Sequence, residues 1–413
     1  MKKYDSYKDS GIEWIGVIPS HWKIMPLKYC FNIVSGATPK TERNEFWDGE
    51  IIWITPADYK TEDHYIENGN RNITFQGLNS CGAEIVPKGS LIFSKRAPIG
   101  TISIANTDLC TNQGCLSCVP KDENESNFFY YLLTQPIKEL EILGSGATFL
   151  EISTTNFSNF DIPVPPLSEQ KEIADYLDRK CSEIDAAVAK VDKELELLDE
   201  LKQSEISKAV TKGLNPNVSF KPSGIYWIGE IPSHWNISRM RYLCNIITGD
   251  KDTINKVDDG LYPFYVRSPQ IEKINSYTFD GEAVLMAGDG VGAGKVIHYV
   301  NGKFDFHQRV YNFHNFKNIK GRFLFYYIQS LFKFKIEEGG AKNTVDSVRQ
   351  PWLKDFPICL PSLKEQEGIL CWLDRKCGEI DSLKEKLKQK KEKLQELRQS
   401  LISQVVTGKR KVI

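Results

Sequence analysis

Apolar residues recur at helical spacing in two long segments of the chain, 184–212 and 383–401. Successive apolar positions lie four or three residues apart, which places them on one side of an α-helix. These positions are Ile184, Val188, Val191, Leu195 and Leu198 in the first segment, and Leu383, Leu387, Leu394, Leu397 and Leu401 in the second. Such spacing, with a few polar interruptions such as Lys390, is typical of a coiled coil. The pattern therefore predicts two long helices that pair with each other.

Prolines and hydroxyl residues mark where these helices begin. Pro-rich segments at 161–166 and 356–361 come just before them, and proline cannot continue a strand ladder or a helix interior. Ser168 is predicted to cap the first helix. Ser362 and Glu365 form the sequence of a capping box for the second.

A break inside each helix is also predicted. Ser182 and Asp185 have the spacing of an internal cap, and Gly378 occupies the matching place in the second segment. Because both features favour helix ends, we expect a bend near 179–183 and another near 375–379.

The segment that precedes each helix has a different pattern, in which short apolar and β-branched runs alternate with turn residues. Runs at 51–54, 91–93 and 101–104 predict strands of a mixed or mainly β body over about 23–164. Apolar residues at helical spacing predict one helix over 127–143. A second body, about 236–359, follows the same order. The corresponding pairs are 91–93 with 283–286, 111–114 with 306–309, and the helix 127–143 with a helix predicted over 323–336.

The chain is a tandem duplication. Residues 12–22 return almost unchanged at 225–235, with both tryptophans, the proline and the histidine in register, and 165–213 returns at 361–409. The order start motif, body, long helix thus occurs twice. His21 and His234 in the two start motifs invite a catalytic interpretation. The favoured interpretation is an aromatic cluster that packs the start of each globular unit.

Composition is ordinary for a soluble globular protein: 413 residues, 41% hydrophobic, 26% charged and a net charge of −1. We find no apolar run near the ~20 residues that span a bilayer and no signal peptide, so a cytoplasmic location is expected. The two helical segments differ in charge. Residues 168–213 carry eight Lys/Arg and twelve Asp/Glu, whereas 364–409 carry eleven and eight. This favours pairing between them over self-association, although two independently solvated surfaces stay an alternative.

Three cysteines, Cys110, Cys115 and Cys118, match part of the spacing of an iron–sulfur site. The next cysteine, Cys181, belongs to a predicted helix, and the segment around the three is apolar like a strand. Buried structural thiols are therefore favoured over a cluster, and no metal ligands are predicted.

No motif for catalysis was found. Residues 288–295 resemble a phosphate loop, but Asp289 and Val296 stand where such a loop needs glycine and a hydroxyl residue. A mobile loop carrying Lys295 between two strands is favoured. Zinc-binding, nucleophile-elbow and methyltransferase signatures are missing as well. The prediction is a protein that is not an enzyme and has no catalytic residues.

Basic and amide residues cluster in predicted loops of both bodies. Arginine, lysine, asparagine and glutamine are the side chains that read base edges, and the basic ones also hold phosphates. The candidate DNA-binding residues are Lys40, Arg43, Lys95, Arg96, Asn112, Gln113, Lys295, His307, Gln308, Arg309, Lys342, Asn343 and Arg349. Taken singly, each is more often an ordinary solvated loop residue.

Over essentially its full length the chain resembles the specificity subunits of Type I restriction-modification systems. The residues that carry the resemblance are the start motif Gly11 to Gly16 with Pro19, His21 and Trp22, the helix start at 165–170, and the Leu-Asp and Ile-Asp pairs at 177–178 and 184–185, all with second copies. Tyr226 departs from Glu13 of the first copy, and Gly368 weakens the second helix locally.

The resemblance implies an α+β fold: two similar mixed α/β target recognition domains, separated by two long conserved helices that form an antiparallel coiled coil in a pseudo-two-fold tandem repeat. The implied domains are 1–165 and 215–360 for recognition, and 166–214 and 361–413 for the central and C-terminal helical regions. Each recognition domain is expected to bind one half of a bipartite DNA site. An arm of about 30 residues spans roughly 45 Å, a little more than one turn of B-DNA at ~34–36 Å, so the helices are expected to set the spacing.

The resemblance also implies partners. Two methyltransferase (modification) subunits would dock on the helices, and restriction subunits would join them on double-stranded DNA, with no membrane involved. S-adenosylmethionine, ATP and magnesium would belong to those partners, with no cofactor in this chain. Candidate docking residues are Glu169, Gln170, Leu177, Asp178, Ile184, Asp185, Glu365, Gln366, Leu373, Asp374, Ile380 and Asp381. Two alternatives stay open: a single-chain enzyme that modifies or cuts DNA, and a coiled-coil scaffold that does not bind DNA.

Overall fold

A computed structural model describes residues 3–60, 63–121, 124–146, 150–338 and 347–412. The chain divides into two compact units: unit 1 comprises 1–190 and 390–413, and unit 2 comprises 191–389. Each unit therefore combines one body with parts of both long helices. The predicted domain boundaries along the sequence stay a prediction.

Unit 1 contains the first body and the start of a long helix. Its strands are β1 (Tyr7–Asp9), β2 (Val17–Pro19), β3 (Lys23–Pro26), β4 (Phe31–Ser35), β5 (Trp47–Ile54), β6 (Tyr65–Ile66), β7 (Arg71–Ile73), β8 (Leu91–Lys95), β9 (Ile99–Ala105), β10 (Cys110–Thr111), β11 (Cys115–Pro120), β12 (Gly144–Ser145), β13 (Glu151–Ile152) and β14 (Asp161–Val164). Its helices are α1 (Leu27–Cys30), α2 (Phe75–Asn79), α3 (Ser126–Leu133), α4 (Ile137–Ile142), α5 (Thr154–Ser158) and the first part of α6 (Leu167–Lys212).

A five-stranded sheet in the order β4-β11-β8-β9-β6 lies at the centre of unit 1. Strands β8 and β9 are buried along their whole length, which explains their short runs of apolar and small residues. A smaller sheet, β10-β5-β7, pairs Cys110 and Thr111 in parallel with Trp53 and Ile54. The predicted strands at 51–54, 91–93 and 101–104 are confirmed.

Unit 2 contains the second body. Its strands are β15 (Phe220–Pro222), β16 (Glu230–Pro232), β17 (Asn236–Arg239), β18 (Asn245–Thr248), β19 (Tyr262–Tyr265), β20 (Glu272–Ile274), β21 (Phe279–Ala287), β22 (Ile297–Phe306), β23 (Val310–His314) and β24 (Pro357–Leu360). Its helices are the rest of α6, α7 (Gly321–Glu338), α8 (Gln350–Lys354) and most of α9 (Leu363–Val406), which ends in unit 1. Six strands form one sheet in the order β18-β23-β21-β22-β19-β20.

The two bodies share a topology. The run β4-β11-β8-β9 in unit 1 corresponds to β18-β23-β21-β22 in unit 2. Parallel pairings occur in both units: β10 with β5 and β6 with β9 in unit 1, and β22 with β19 in unit 2. Each body is closed by a short antiparallel ribbon, β3 with β14 and β17 with β24, just before the long helix. The predicted α+β fold of two similar bodies in a tandem repeat is confirmed.

The helix of the first body differs from its prediction. A single helix was expected over 127–143, but α3 ends at Leu133 and α4 begins at Ile137. Pro136 lies between them, and a proline in a helix interior removes a backbone donor and clashes with the preceding turn. The second body has no proline at this place, and its helix α7 is continuous, as predicted for 323–336.

The predicted bends in the long helices are wrong, because α6 and α9 are each continuous. Cys181 and Ile184 are buried in the core of unit 1, so packing keeps the helix going past Ser182. A Cβ added at Gly378 would meet nothing within 4 Å. This glycine therefore costs the helix only about 1 kcal/mol of intrinsic propensity.

The cap predictions are partly wrong. Ser168 lies inside α6, which begins one residue earlier, so it does not cap that helix. Ser362 does cap α9, since its Oγ accepts from the Glu365 N–H at 3.3 Å. The Glu365 side chain does not complete the box; it is bound by the tryptophan cluster described below.

Within each unit the two long helices run antiparallel, as predicted. In unit 1, Arg398 Nε lies 3.1 Å from Asp185. In unit 2, Lys202 lies 2.7 Å from Asp381, and Lys384 binds Asp199. Exposed pairs of this kind contribute only about 0–1 kcal/mol each, so they fix register more than stability.

The predicted apolar seam is confirmed at Leu401, which is buried, and wrong at Leu383 and Leu397, which are about half exposed. The stripe is interrupted between Leu387 and Leu394, at Lys390. An α-helix has 3.6 residues per turn, so apolar positions spaced every 3.5 residues drift about 20° around the helix per heptad. This drift turns positions such as Leu383 and Leu397 towards solvent.

The three clustered cysteines lie in buried strands. Cys110, Cys115 and Cys118 are free and buried in strands β10 and β11, and burial raises the pKa of Cys110 and Cys115 to about 12. Among the described residues, no group of three or more histidine, cysteine or acidic side chains is arranged to hold a metal ion. Over the same residues, no helix combines the length and apolar character that crossing a membrane requires.

Candidate nucleic-acid interface

Two matched turns carry five of the candidate residues for DNA binding. Turn 1, residues 112–114, leads into β11 of unit 1. Its backbone is held by the Asn112 N–H donating to Ile54 O at 2.8 Å and the Cys115 N–H donating to Asn112 O at 3.1 Å. The Asn112 side chain closes the turn, because its Oδ1 accepts from the Gly114 N–H at 2.8 Å. This is an Asx turn, the conformation that asparagine favours.

Turn 2, residues 307–309, leads into β23 of unit 2 with the same bonds. The His307 N–H donates to Tyr265 O at 3.0 Å, and the Val310 N–H donates to His307 O at 2.9 Å. Here an imidazole replaces the amide, since His307 Nδ1 accepts from the Arg309 N–H at 2.9 Å. The predicted correspondence of 111–114 with 306–309 is confirmed.

A glycine in each unit lets a neighbouring loop approach the turn. A Cβ on Gly36 would lie 2.2 Å from Thr111 O, and one on Gly249 would lie 2.0 Å from Phe306 O. Any side chain would clash with backbone at both places. The loops that follow, with Lys40 in unit 1 and Lys251 in unit 2, are therefore held against the turns.

Turn 1 lies among side chains that bind each other. Thr38 Oγ1 donates to the Gln113 side chain. Lys40 and Arg43 are exposed, and Arg43 Nη1 lies 3.2 Å from Glu45. The carbonyl of Lys40 accepts from Trp47 Nε1 at 3.3 Å, which anchors the loop.

Lys95 and Arg96 share one carboxylate. Lys95 Nζ lies 2.9 Å and Arg96 Nη1 lies 3.2 Å from oxygens of Glu151. Burial acts to raise the pKa of Glu151, but the hydrogen bonds and charges of Lys95 and Arg96 outweigh it and hold the pKa below its ordinary value. The Lys95 side chain is only 11% exposed, so Arg96 is the more accessible of the two.

Turn 2 is surrounded by acids that hold its side chains. Gln308 Nε2 donates to Asp252 Oδ2 at 2.7 Å. Asp289 lies 3.5 Å from Arg309 Nε and 3.2 Å from Arg267 Nη1. Gln308, Arg309 and Asp289 border a cleft of about 440 Å³, which Tyr311 and Arg349 also line.

The remaining candidates of unit 2 are not all described. Lys295 and Arg349 are exposed, and Lys295 lies in the loop between β21 and β22, as predicted. Lys342 and Asn343 lie outside the described residues.

Each unit also contains a tryptophan cluster built from its start motif. In unit 1, Glu169 at the start of α6 accepts from Trp22 Nε1 at 3.1 Å and lies 2.8 Å from His21 Nε2. In unit 2, Glu365 at the start of α9 accepts from Trp235 Nε1 at 3.0 Å and lies 3.1 Å from His234 Nε2. Both tryptophans are fully buried, in agreement with the packing interpretation of the start motif.

The C-terminal end of the other long helix lies next to the tryptophan of each cluster. Gly408 follows the end of α9 with φ +71°, and a Cβ at this glycine would lie 3.2 Å from Trp22. Gly213 follows the end of α6 with φ +73°, and a Cβ there would lie 3.1 Å from Trp235. Glycine is suited to this left-handed end of a helix. Each cluster therefore joins the start of one long helix to the end of the other.

The glutamine next to each of these acids is fully engaged inside its unit. Gln170 accepts from the Glu125 N–H before α3 and donates to Pro165 O. Gln366 accepts from the Lys320 N–H before α7 and donates to Pro361 O. Both side chains are buried, so they tie each body to its long helix.

The other docking candidates divide into buried and exposed residues. The apolar ones are buried: Leu177, Ile184, Leu373 and Ile380. Asp178 accepts from the Tyr131 hydroxyl at 2.7 Å. Asp185, Asp374 and Asp381 are exposed and pair with Arg398, Arg322 and Lys202 of their own units. Docking on these residues stays a prediction.

Sequence reasoning missed the residues that hold the candidates in place. Asp252, Arg267 and Asp289 around turn 2, and Thr38 and Glu151 around turn 1, carried no motif. One signal in the sequence could have found Asp289. When the sequences of β8 and β21 are aligned, Asp289 matches Arg96. Each of these two residues forms an isolated bridge with the segment just before the last short helix of its body, α5 or α8.

The chain is similar to known proteins in sequence and in fold. The family model for the Type I restriction modification DNA specificity domain matches residues 19–197 and 232–393. A specificity subunit of the type I restriction enzyme MjaIX from Methanocaldococcus jannaschii is 34% identical over 242 residues, which are 57% of this chain and 54% of that protein. The chain thus spans about half the length of that relative.

Two further matches extend over almost the whole chain. The putative type I restriction enzyme MjaX specificity subunit of the same organism is 26% identical over 96% of both chains. A protein solved in work on complex assembly and conformational transition of the type I R-M system has a TM-score of 0.72, covering 94% of this chain and 98% of its own at 15% identity. The latter shows a shared fold. With two matched specificity domains that together cover most of its length, this chain belongs to the family of Type I restriction-modification DNA specificity subunits.

Proposed function

We propose that each body binds one half of a split DNA site and that turns 1 and 2 lie at the centre of the two binding surfaces. The observation that carries this proposal is the repetition of one backbone geometry with different side chains. Both turns have the same hydrogen bonds to neighbouring strands, yet they present Gln113 and Gly114 in unit 1 and Gln308 and Arg309 in unit 2. Two turns with the same backbone and different side chains are suited to recognising two different DNA sequences.

The side chains of Gln113, Gln308 and Arg309 support the recognition of bases. Glutamine bonds to adenine and arginine bonds bidentately to guanine in the major groove. Gln308 and Arg309 are held by Asp252 and Asp289, which keeps their orientation fixed before DNA arrives. The exposed Lys40 and Arg43 of unit 1, and Lys295 and Arg349 of unit 2, suit phosphate contacts that set position.

The long helices would set the spacing of the half-sites and dock two modification subunits, with restriction subunits joining the complex. Exposed apolar residues on the helices support docking: Leu197, Leu201 and Leu383 in unit 2 and Leu397 in unit 1 are 41–52% exposed. The exposed acids Asp185, Asp374 and Asp381 lie on the same helices. Recognition rather than catalysis is the role of a specificity subunit.

Cofactors would enter with those partners. S-adenosylmethionine, ATP and magnesium are assigned to the modification and restriction subunits, with none bound by this chain. DNA methylation takes place where the chromosome is, so the cytoplasm is the proposed location.

Exchange of one body tests the proposal. Residues 236–359 are replaced by the corresponding body of a relative, the chain is expressed with its modification subunit, and methylated sites are mapped across the host genome. We expect one half-site to change while the other half and the gap are kept. An unchanged target sequence would contradict the proposal and favour a scaffold without DNA contact. Methylation or cleavage by the purified chain alone would favour an enzyme.

A further inference from the structure

A buried histidine closes turn 2. The His307 side chain is only 3% exposed, and its Nδ1 accepts the Arg309 N–H at 2.9 Å. Besides its own backbone bonds, the turn therefore depends on a ring nitrogen. Gln308, between these two residues, is fixed at its backbone by the Lys251 carbonyl at 2.8 Å.

This hydrogen bond requires one protonation state. A ring nitrogen accepts an N–H only when it carries no proton, so His307 must be neutral with its proton on Nε2. The Nε2 atom lies 3.9 Å from Asp252 Oδ2, beyond hydrogen-bond distance. Protonation of Nδ1 would remove the acceptor and place two donors against each other.

The surroundings oppose that protonation. Burial is the main cause that lowers the pKa of His307, and the positive charges of Arg267 and Arg309 act in the same direction. Asp252 and Asp289 act in the opposite direction, and the net pKa is below the ordinary value.

In unit 1 the corresponding turn is closed by a side chain that does not titrate. Asn112 Oδ1 accepts the Gly114 N–H at 2.8 Å, and an amide does not change its charge over the physiological pH range. The two turns therefore differ in one respect that an experiment can isolate.

We propose that His307 is a positioning residue whose neutral ring holds Gln308 and Arg309 in the geometry that reads the second half-site, and that recognition by unit 2 alone weakens as the pH falls. The proposal rests on the proposed function, because it assumes that turn 2 faces DNA. An open turn would displace both tips, since Gln308 is held by Asp252 and Arg309 by Asp289 in the closed form.

The direction of the pH effect follows from linkage. In an open turn the histidine has an ordinary pKa of about 6.5, whereas in the closed turn its pKa is lower. Above about 6.5 both forms are neutral and the closed turn keeps its full advantage. As the pH falls below about 6.5, the open form takes up a proton and gains population. One proton sets a ceiling of about tenfold on this shift at pH 5.5.

The test uses the complex of this chain with its modification subunits and a duplex that carries the methylated site found by genome mapping. Binding is measured by fluorescence anisotropy from pH 8 to pH 5.5, on the full site and on sites with one half scrambled. The variants are His307→Asn, which copies unit 1, His307→Leu, which cannot accept, and Asn112→His, which copies unit 2.

We expect His307→Asn to lose the part of the acid sensitivity, up to about tenfold between pH 8 and pH 5.5, that belongs to the second half-site, with each pH profile normalised to the same variant's own affinity at pH 8. His307→Leu should weaken that half-site at every pH, and Asn112→His should make the first half-site acid-sensitive. Superimposable pH profiles of parent and His307→Asn would overturn the inference.

A second measurement covers the case of variants that do not fold. In the parent complex with this chain 15N-labelled at histidine, the ring signal assigned to His307 should keep the Nε2–H tautomer and resist protonation below pH 6.5; ordinary titration of His307 would overturn the inference. If the parent complex binds neither half-site at any pH, the proposed function itself fails. If the parent complex binds both half-sites and the pH profiles of parent and His307→Asn are the same, only the inference about His307 fails.

Discussion

Turn 1 and turn 2 have one backbone and different chemistry. Both are held by the same two backbone bonds, but asparagine closes one and histidine closes the other. Near turn 1 a single carboxylate, Glu151, lies between Lys95 and Arg96. Near turn 2 the matched position is itself acidic, and Asp289 lies between Arg267 and Arg309.

This contrast separates what the fold fixes from what a target selects. Neighbouring strands and a close-packed glycine hold each turn, so the backbone tolerates a different residue at each tip. The charges around it are rearranged, but in both units two basic side chains share one carboxylate. Under the proposed function, recognition of a new half-site would require new side chains and no change of fold.

The largest effect is expected from changing the helices that both units share. Insertion of one heptad after Lys190 in α6 and one after Gln389 in α9 lengthens each helix by about 10.5 Å. The gap between half-sites should widen by about three base pairs, with both half-sites unchanged, and binding to the original site should be lost. Genome-wide methylation mapping measures this. A gap of the original length would contradict the idea that the helices set the spacing.

Removal of either buried tryptophan should destabilise its own unit. Trp22→Ala and Trp235→Ala each remove a fully buried side chain and leave a carboxylate without its indole donor, at a cost of about 3–5 kcal/mol. Hydrogen exchange should show lost protection in unit 1 for the first and in unit 2 for the second. Tyr226→Ala is the control: this residue is 96% exposed, and its loss should cost under about 0.5 kcal/mol. Equal effects of all three would contradict the cluster's role.

Substitution at one tip should affect one half-site. Arg309→Ala should relax discrimination at one base pair of the second half-site by about 1–3 kcal/mol and leave the first half-site unchanged. Arg43→Ala, at an exposed loop, should instead weaken binding to all sequences and reduce the salt dependence by about one ion. Competition binding with single-base variants of the site distinguishes them. A uniform loss from Arg309→Ala would assign that arginine to phosphate.

The smallest effect concerns a second histidine, which is half-buried. His64 of unit 1 is stacked between Tyr65 and Tyr130 at 4.5 and 4.1 Å, and burial lowers its pKa. The neutral ring is favoured in the folded state, so its contribution to stability is complete above about pH 6.5 and declines as the pH falls below it. His64→Phe should reduce the acid sensitivity of unit 1, by at most about 1.4 kcal/mol per pH unit, with unit 2 as the internal control in hydrogen exchange. An unaltered pH profile would contradict this role.

The sequence by itself determined the duplication, the two bodies, the long helices and their antiparallel pairing. Repeats and periodicity can be read directly from the sequence, and core positions such as Val191 and Leu401 follow from the periodicity. It also located both turns, because Asn112 and His307 occupy matched places in the two copies. Local signals misled at Ser168, Ser182 and Gly378, where packing of a continuous helix outweighs a weak preference for a cap or a bend.

Only the tertiary structure decided which charged groups meet. The pairs Asp289–Arg267, Gln308–Asp252 and Lys95–Glu151 join residues far apart in the chain, and no periodicity encodes such contacts. The structure also assigned Gln170 and Gln366 to the interior, where each satisfies a backbone donor that would otherwise be buried without a partner. The physical reason is the same in both cases. Hydrogen bonds and ion pairs depend on the distance between groups in space. The local sequence pattern determines the helices and strands, but strand pairing and helix packing determine those distances.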